Sequence, residues 1–381
     1  MKQEVTTKKV FIRTFGCQMN VRDSEIISGL LQKSGYKISE DDNEAEVIIF
    51  NTCSVRKHAE DRVWSLIGSY KGSKIIGLVG CMAQNYKDKV FQRDSNVSFV
   101  VGPQDIHKLP EVLGKFTSYN LFKRRVWEVD TKFRPEEIYH SGFHQDKHHA
   151  YVVVSEGCSN LCSYCVVPYV RGVLRHRKKE KILLEIQEAL TQGITRFTLL
   201  GQNVNAYLDG NVNFTKLLKD VDTINGLEEF NFFTSHPKDA SIDTFRAIRD
   251  LDKLTKTLHL PLQSGSDRIL KLMNRGYTAK EYFALIKYYR KIVQGGSLTT
   301  DIIIGFPTET DKDFQETCNL MKEIEFNAAY IFKYSPRPGT EAAKMPDNVE
   351  RDEKEKRHKY ILDLQRDISN KIRGKRKNEK N

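Results

Sequence analysis

The sequence predicts an α/β protein made of two parallel-sheet domains, the second of them a partial (open) β/α barrel. Three observations support this fold class. Short apolar runs of strand length alternate with longer segments in which apolar residues recur every three or four positions. Two such series are present, one from about residue 8 and the other from Tyr151. With 381 residues, the chain is also long enough to bury two cores.

The chain then divides into four predicted segments: an N-terminal domain (8–125), a linker (126–147), the barrel domain (148–345), and a charged helix with a basic tail (346–381). The linker is inferred because the residues around it are irregular and rich in charge and histidine, with at most an edge strand. His148 and His149 invite a metal interpretation there, but we favour a solvated loop.

The N-terminal series alternates strands and helices. The predicted strands cover residues 9–13, 47–50 and 74–79. A first helix would be capped by Asp23 or Ser24 and end near Gly35, and a second would run from about residue 59 to 70. Strands separated by helical crossovers pair in parallel, so these strands are expected to form one sheet.

The second series contains six strand–helix units, which suggest the barrel. The predicted strands cover residues 151–155, 196–200, 229–233, 257–260, 298–304 and 329–332. Helices are expected around 181–191 and 241–249, and Thr278 and Glu281 have the spacing of a capping box at the start of another. In such barrels the chemistry lies at the carboxyl ends of the strands. A charged helix over 349–373 and a disordered end complete the prediction.

Composition and charge narrow the range of functions. Hydrophobic residues make up 39% and charged residues 29%, which is ordinary for a soluble protein, and no apolar run approaches the length of a membrane span. We therefore expect a cytoplasmic protein with no membrane partner and with reduced cysteines. The net charge of +11 favours a polyanionic partner. Basic residues concentrate in the C-terminal tail and at Arg171, Arg175, Arg177, Lys178 and Lys179.

The most informative motif is EGCSNLCSYCVVPYVRG, which follows the first strand of the second series. It spaces Cys158, Cys162 and Cys165 as C-x3-C-x2-C. Three thiolates this close can hold three irons of a four-iron cluster and leave the fourth iron open to a substrate or cofactor. The alternatives are three structural cysteines or a zinc site with a distant fourth ligand. Structural zinc sites usually show paired C-x2-C units, and seven cysteines are an odd number for disulfides.

Three more cysteines lie in the first series, each just past the end of a predicted strand. They are Cys17 in RTFGCQMN, Cys53 in FNTCSVR and Cys81 in LVGCMAQ. In a parallel sheet these strand ends share one edge, so the three thiols can converge around a second cluster. Three inert buried cysteines are the alternative. The seventh cysteine, Cys318, lies within a predicted helix, and we interpret it as a core residue.

Together these motifs resemble the radical S-adenosylmethionine (radical SAM) methylthiotransferases. TFGCQMNVRDSE, FNTCSVR and VGCMAQ are similar to the family's N-terminal cysteine segments. EGCSNLCSYCVVPYVRG, LLGQNVNAY, HLPLQSGS, DIIIGFPTET and KYSPRPGTEAA are similar to its catalytic domain. The resemblance implies two 4Fe-4S clusters and S-adenosyl-L-methionine as cofactors. An auxiliary cluster would be held by Cys17, Cys53 and Cys81, and the cluster that binds the cofactor by the C-x3-C-x2-C motif.

Within this family, FGCQMN and LLGQNVNAY most resemble the branch that adds a methylthio group to carbon 2 of N6-isopentenyladenosine beside the anticodon of tRNA. The resemblance implies that one S-adenosylmethionine methylates a sulfur at the auxiliary cluster. A second would yield the 5′-deoxyadenosyl radical that activates the target carbon. Sibling activities on threonylcarbamoyl-adenosine in tRNA, or on an aspartate of a ribosomal protein, are alternatives. A noncatalytic iron–sulfur protein that binds tRNA is an alternative of another class.

The resemblance also implies contacts to S-adenosylmethionine at the ends of barrel strands. Gly201, Gln202 and Asn203 follow the second strand, where relatives meet the methionine amino group. Glycine permits close approach, and the amides can donate or accept hydrogen bonds. Gln263 and Ser264 end another strand and could contact the carboxylate or the ribose.

Five further residues have weaker assignments. Tyr164 is expected near the adenine of the cofactor, with ordinary packing as the alternative. His236 and His259 lie at strand ends and are either site residues or satisfied core histidines. Gly305 and Pro307 fit a tight loop under the cofactor.

Relatives in this family usually end in a small β-barrel RNA-binding domain. The sequence shows no alternating strand pattern after about residue 370, so we expect either that the domain was lost or that the chain is truncated. The basic residues 171–179 and the lysine-rich tail could partly substitute for it in binding tRNA. The resemblance further implies an electron donor such as flavodoxin or ferredoxin, and a protein that supplies clusters or sulfur.

Overall fold

The structure is a computed structural model that describes residues 8–54, 57–70, 74–116, 125–129 and 133–378, with the side chains of 57–59 and 375–378 left out. Three parts of the sequence predictions lie outside the described residues. They are the end of FNTCSVR, a short stretch of the linker, and the disordered C-terminal end.

The first domain is a six-stranded sheet flanked by helices. Its strands are β1 (Lys9–Thr14), β2 (Lys37–Ser39), β3 (Val47–Thr52), β4 (Ile75–Gly80), β5 (Val97–Val101) and β6 (Val126–Glu128). Its helices are α1 (Gln18–Lys33), α2 (Lys57–Ser69), α3 (Cys81–Tyr86), α4 (Val90–Arg93) and α5 (Leu109–Gly114). The strand order is β2-β1-β3-β4-β5-β6, and every pairing is parallel. The predicted parallel α/β sheet is confirmed, and β3 and β4 are buried along their whole length.

One helix boundary in this domain was predicted wrongly. Helix α1 begins at Gln18, with Cys17 as the residue before it, and not near Asp23. Asp23 is almost fully buried inside the helix, where its carboxylate binds Arg134 and Arg171, each at 2.7 Å. A short polar residue therefore resembled a cap in sequence, whereas its role is to bind two buried arginines. The prediction also left out β2 and β5.

The second domain is the predicted α/β barrel. Its strands are β7 (His149–Val153), β8 (Ser155–Glu156), β9 (Arg175–His176), β10 (Arg196–Leu200), β11 (Leu208–Asp209), β12 (Val212–Asn213), β13 (Glu229–Phe232), β14 (Thr257–His259), β15 (Ser297–Ile304) and β16 (Ala328–Lys333). Its helices are α6 (Val167–Arg171), α7 (Lys179–Thr191), α8 (Phe214–Asp222), α9 (Ile242–Asp250), α10 (Asp267–Leu272), α11 (Ala279–Ile292), α12 (Asp311–Ile324) and the C-terminal α13 (Arg351–Asn378).

Six of these strands form the barrel wall in two parallel groups, β7-β10-β13 and β14-β15-β16. A parallel bridge between Phe230 and Leu254 joins the groups. Strands β7 and β16 are not paired in the described part of the chain, so the barrel is open there. The capping box of Thr278 and Glu281 is confirmed at the start of α11.

One of the apolar clusters extends across both domains. Val153 of β7 and Leu200 of β10 pack in the same cluster as Ile27 of α1. Ile138 and Tyr139, from the segment predicted as a linker, are buried in that cluster too. The segment therefore contributes packing as well as connection, and the domain boundaries themselves stay predictions.

Three smaller predictions have clear outcomes. His148 lies on an exposed bend, as expected, but His149 is the first residue of β7 and its Nε2 lies 2.8 Å from Thr198 Oγ1, so a solvated loop is wrong for it. Cys318 is a fully buried core residue of α12, as predicted. The charged C-terminal helix is confirmed as α13, which packs on β16 and α12. Among the described helices, none has both the length and the apolar character that crossing a bilayer requires.

Candidate active site

The C-x3-C-x2-C cysteines lie on the loop between β8 and α6, near the carboxyl end of β7. Cys158 and Cys162 are buried, and Cys165 is half-buried. Burial raises the pKa of the Cys165 thiol to about 12, and the nearby thiols of Cys162 and Cys158 act in the same direction. Burial also raises the pKa of Cys158. The three sulfurs are thus within electrostatic reach of each other, and a cationic cluster would stabilise all three as thiolates.

Main-chain contacts fix the shape of this cysteine loop. Cys158 N donates to the Gly172 carbonyl at 3.1 Å, and Ser163 N donates to the Met273 carbonyl at 3.0 Å. Gly157 opens the loop with a φ of +72°, and a Cβ there would lie 2.5 Å from the Gly172 oxygen. Only glycine fits that position without moving the backbone.

Two nitrogen atoms approach the sulfur of Cys162. Arg275 Nη1 lies 3.4 Å from it, and the same buried guanidinium donates to the Pro261 carbonyl at 2.9 Å. His236 Nε2 lies 3.9 Å from the sulfur, and its Nδ1 accepts from Lys238 N at 3.2 Å, which assigns the ring proton to Nε2. Burial lowers the pKa of His236 to about 2, so the ring is neutral. Both side chains can donate a hydrogen bond to a thiolate at this position.

The loop after β10 is tied to the cysteine loop. Gln202 Oε1 accepts a hydrogen bond from Gly157 N. Asp239 Oδ2 accepts from Asn203 Nδ2 at 2.7 Å and from Asn160 Nδ2 at 3.1 Å. Gln202 is therefore bonded directly to the segment that carries the cysteines, and Asn203 is linked to it through Asp239.

Several buried polar atoms in this region have no hydrogen-bond partner within the described chain. They include Gln202 Nε2, Asn203 Oδ1 and Gln263 Oε1. Gln263 also has a φ of +71°, a conformation that side-chain-bearing residues rarely adopt. Buried polar groups normally have a partner, and the amino and carboxylate groups of S-adenosylmethionine could satisfy these. The residues present are thus compatible with this cofactor.

Two other predicted contacts have different surroundings. The Ser264 hydroxyl lies 3.3 Å from Thr317 Oγ1 on α12 and accepts from Ser266 N at 3.2 Å, so neighbouring elements already engage it. Tyr164 packs beside a small apolar cluster, and its hydroxyl lies 3.4 Å from Arg275 Nη1. Their contact with the cofactor stays a prediction.

The remaining weaker assignments also contact neighbouring elements. Gly305 has a φ of +64°, and its N–H donates to Glu309 Oε2 at 2.7 Å. A Cβ on Gly305 would lie 2.5 Å from Lys354 Cγ, so α13 packs directly against this loop. His259 Nδ1 lies 2.9 Å from Thr299 Oγ1 on β15, as a satisfied histidine would.

Replacing Gly201 with alanine is expected to weaken binding of S-adenosylmethionine by about tenfold or more. A Cβ on Gly201 would lie 2.4 Å from Ser155 Oγ and 3.1 Å from the Ser155 carbonyl, so the loop after β10 must move. The dissociation constant of S-adenosylhomocysteine, measured by calorimetry, tests this without turnover. Gly68→Ala on α2, where a new Cβ meets no described atom within 4 Å, is the matched control and should leave binding unchanged. Equal affinity of the two variants would contradict the assignment.

The three N-terminal cysteines occupy one edge of the six-stranded sheet. Cys17 precedes α1, Cys53 follows β3, and Cys81 begins α3 directly after β4. A hydrogen bond between the thiols of Cys53 and Cys17, with the charge of Arg171, lowers the pKa of Cys17 to about 6. Gly16 is pressed against this pair, because a Cβ there would lie 2.4 Å from Cys53 Cβ. The fold therefore brings residues 36 and 64 positions from Cys17 to the same edge.

The two sets of cysteines meet across the domain interface. Cys81 packs against Val166 and Val170, which immediately follow Cys165. Within the described residues, no group of three His, Cys, Asp or Glu side chains lies close enough to hold a single metal ion. A four-iron cluster does not require the three thiolates to contact a single ion, since each thiolate binds a separate iron at a corner of the cluster.

Sequence reasoning missed three charged residues of this region: Arg134, Asp239 and Arg275. Each is far in sequence from the cysteines, and its role depends on tertiary contacts. Only Arg275 gave a usable signal, since it directly precedes the segment GYTAKE that begins α11. An arginine at the start of a loop on the active side of a barrel could have been flagged.

The basic residues 171–179, expected to help bind tRNA, differ in exposure: Lys178 is largely exposed, whereas the arginines are buried or half-buried, and the role in tRNA binding stays a prediction. Arg171 and Arg177 are buried, and Arg177 pairs with Glu185 and Glu136. Lys178 and Lys179 pair with Asp209 and Asp220. The sequence showed the cluster of charge but not the carboxylates that come from other elements, so these residues have little free charge for phosphates.

Two family models match the chain. The model described as uncharacterized protein family UPF0004 matches residues 9–102, and the radical SAM superfamily matches residues 152–321. Together they cover the regions that contain the two sets of cysteines.

Curated relatives match over most of the chain. The tRNA-2-methylthio-N(6)-dimethylallyladenosine synthase of Protochlamydia amoebophila is 44% identical over 366 residues, which cover 94% of this chain and 81% of that protein. The protein of the same name from Thermoanaerobacter pseudethanolicus is 44% identical over 370 residues, with 94% and 78% covered.

Solved structures share the fold at low identity. The radical S-adenosylmethionine methyltransferase TsrM from Kitasatospora setae has a TM-score of 0.59 at 13% identity, and the match covers 85% of this chain and 73% of that chain. At this identity the likeness shows the fold alone. The curated relatives decide the family: this chain is a transferase and belongs to the radical SAM methylthiotransferases, in the family of the tRNA-2-methylthio-N(6)-dimethylallyladenosine synthases.

Proposed function

We propose that the protein transfers a methylthio group to carbon 2 of N6-isopentenyladenosine beside the anticodon of tRNA. The supporting observation is the meeting of two cysteine sets at one interface, with Cys81 packed on the helix that follows Cys165. Methylthiolation joins a methyl group, a sulfur and a carbon with no acidic proton. A cluster that carries sulfur beside a cluster that generates a radical is an arrangement suited to that chemistry.

In this proposal Cys158, Cys162 and Cys165 hold the 4Fe-4S cluster that binds S-adenosylmethionine, and Cys17, Cys53 and Cys81 hold the auxiliary cluster. When bound, the clusters and S-adenosylmethionine supply the radical, the sulfur and the methyl group. Carbon 2 offers neither a leaving group nor an acidic proton, which is why side-chain acid–base catalysis alone is poorly suited to it.

The protein's own residues bind and orient the cofactor and keep water away from it. Asn203, Gln202 and Gln263 present unpartnered polar atoms for the amino and carboxylate groups of the cofactor. Arg275 and His236 present N–H groups to the Cys162 sulfur, which stabilises it as a thiolate. The apolar cluster that extends across both domains holds the two sites in a fixed relation.

The wider assignments follow from the same proposal. The cysteine-bearing domains are residues 8–125 and 148–345, with 126–147 between them and 346–381 after them. We propose a cytoplasmic location, tRNA carrying isopentenyladenosine as the substrate, an electron donor such as flavodoxin or ferredoxin, and a protein that supplies clusters or sulfur. We choose isopentenyladenosine over threonylcarbamoyl-adenosine or a ribosomal protein because the curated relatives are named for that substrate.

The test uses anaerobically reconstituted protein, dithionite, S-adenosylmethionine and tRNA that bears isopentenyladenosine. Mass spectrometry of the digested tRNA should detect the methylthio nucleoside. The matched control is the same tRNA without the isopentenyl group, which should give no product. Product on tRNA with threonylcarbamoyl-adenosine alone would reassign the substrate. Absence of both product and 5′-deoxyadenosine, with both clusters loaded, would favour a noncatalytic tRNA-binding protein.

A further inference from the structure

Arg171 connects the two cysteine sets through direct contacts. It is the last residue of α6, which follows Cys165, and it reaches into the first domain. Its Nε donates to Cys81 Sγ at 3.3 Å, and its Nη2 donates to Asp23 Oδ2 at 2.7 Å and to Asn20 Oδ1 at 3.3 Å. The side chain is about 3% exposed, so these contacts occur away from bulk water.

The contacts continue as a buried chain of charges toward the other cysteine loop. Asp23 binds Arg134 at 2.7 Å, Arg134 binds Glu156 at 3.0 Å, and Glu156 lies 3.6 Å from Arg175. Glu156 is two residues before Cys158. Three guanidinium groups thus face two carboxylates, so the network carries one surplus positive charge, and one of its two ends, Arg171, contacts the Cys81 sulfur.

A buried charge without a partner is costly, so this surplus calls for a negative group. The Nη1 atom of Arg171 is also buried and has no hydrogen-bond partner in the described part of the protein. An anionic sulfur at Cys81 would face this positive charge through the Nε–H donor.

The geometry points to Arg171 as a positioning residue that sets the reduction potential of the auxiliary cluster and ties its Cys81 ligand to the radical SAM loop. This inference rests on the proposed assignment of Cys17, Cys53 and Cys81 to that cluster. Reduction adds one electron to the cluster and makes it more negative. A guanidinium that donates to a ligand sulfur stabilises the reduced state more than the oxidised state, which raises the potential.

Arg134 provides the matched comparison. It shares Asp23 with Arg171 and is equally buried, but its polar contacts go to Asp23, Glu156 and the Pro103 carbonyl, and among the described residues none goes to a cysteine. Loss of either arginine breaks the same buried ion-pair network. Only the loss of Arg171 removes the N–H group on the Cys81 sulfur.

The experiment uses the full-length chain with Cys158, Cys162 and Cys165 replaced by alanine, so that only the auxiliary cluster can load. A redox titration with dithionite, followed by electron paramagnetic resonance, gives its reduction potential. Arg171→Gln should reduce the equilibrium constant for reduction about tenfold, which for one electron is about 59 mV. Arg134→Gln should leave the potential close to that of the parent, and Arg171→Lys, which keeps the charge, should shift it less than Arg171→Gln.

The outcomes separate this inference from the proposed function. If the parent loads no cluster, the assignment of the N-terminal cysteines fails, and the inference fails with it. If the cluster loads but Arg171→Gln leaves the potential unchanged, or Arg134→Gln shifts it equally, the inference alone is overturned. If Arg171→Gln loads no iron, Arg171→Lys decides: restored loading with a lowered potential supports the inference, and an unaltered potential overturns it.

Discussion

Replacement of Cys158 by alanine is expected to abolish formation of 5′-deoxyadenosine and of the methylthio nucleoside, with rates reduced by about 10³-fold or more. Cys158 lies in a loop with two further thiols, and burial raises the pKa of Cys158 and of Cys165. Such a site binds a cluster only if every thiol can become a thiolate ligand. With two ligands left, we expect the cluster to be lost and about half of the bound iron with it.

Cys318→Ala is the matched control for this experiment. Cys318 is also a fully buried cysteine of the barrel domain, but it lies in the core on α12 and not at a strand end. Its replacement should cost about 1 kcal/mol of stability and leave iron content and product formation unchanged. Loss of iron in both variants would mean that unfolding, and not ligand removal, explains the effect of Cys158→Ala.

Cys17→Ala tests the role of the auxiliary cluster independently of the cluster that binds S-adenosylmethionine. It should eliminate the methylthio nucleoside and leave 5′-deoxyadenosine formation in place, because the site around Cys158 is intact. Retention of the full methylthio product in Cys17→Ala would remove the auxiliary cluster from the proposal. Iron content and both products, measured on the same preparations, give the comparison.

Most strands and helices could be predicted because the apolar patterns that specify them lie within short stretches of sequence. The runs that became β3, β4 and β15 are strands whose side chains are buried on one or both faces, and such runs are visible in the sequence. Local signals failed where a tertiary partner decided the outcome. Asp23 has the chemistry of a helix cap, but two arginines from other elements hold it inside α1.

In the candidate site too, features set by local sequence could be predicted, and features set by tertiary contacts could not. The cysteines could be grouped from their spacing and from their places at strand ends, since a parallel sheet aligns those ends. The buried arginines could not, because a positive charge in a sequence normally indicates a solvated surface. Arg171 was grouped with basic residues that could help bind tRNA, whereas its guanidinium contacts Asp23 and Cys81 of the other domain.

Replacement of Arg22 by methionine is expected to lower the free energy of unfolding by about 3–5 kcal/mol. Arg22 lies on α1 with no exposed side-chain surface, and its guanidinium binds Glu185 of α7 at 2.8 Å and Glu25 at 3.2 Å. It also donates to the Tyr139 carbonyl at 2.8 Å, so one side chain joins the first domain, the connecting segment and the barrel. Methionine fills the space but leaves two buried carboxylates short of a partner.

Thermal unfolding of Arg22→Met beside Arg246→Met tests this expectation. Arg246 is an exposed arginine of α9 that pairs with Asp243 on the surface, and its loss should change stability little.

Burial already raises the pKa of Glu25, and without Arg22 that carboxyl should take up a proton more readily still. The destabilisation of Arg22→Met should therefore become smaller as the pH falls toward the range in which Glu25 is protonated. Equal stability of the two variants would show that Arg22 does not contribute to joining the domains. We expect only Arg22→Met to lose stability, and we expect the folded fraction of that variant to keep the reduction potential of the auxiliary cluster. That result would distinguish Arg22, which joins the domains, from Arg171, which also contacts a cysteine sulfur.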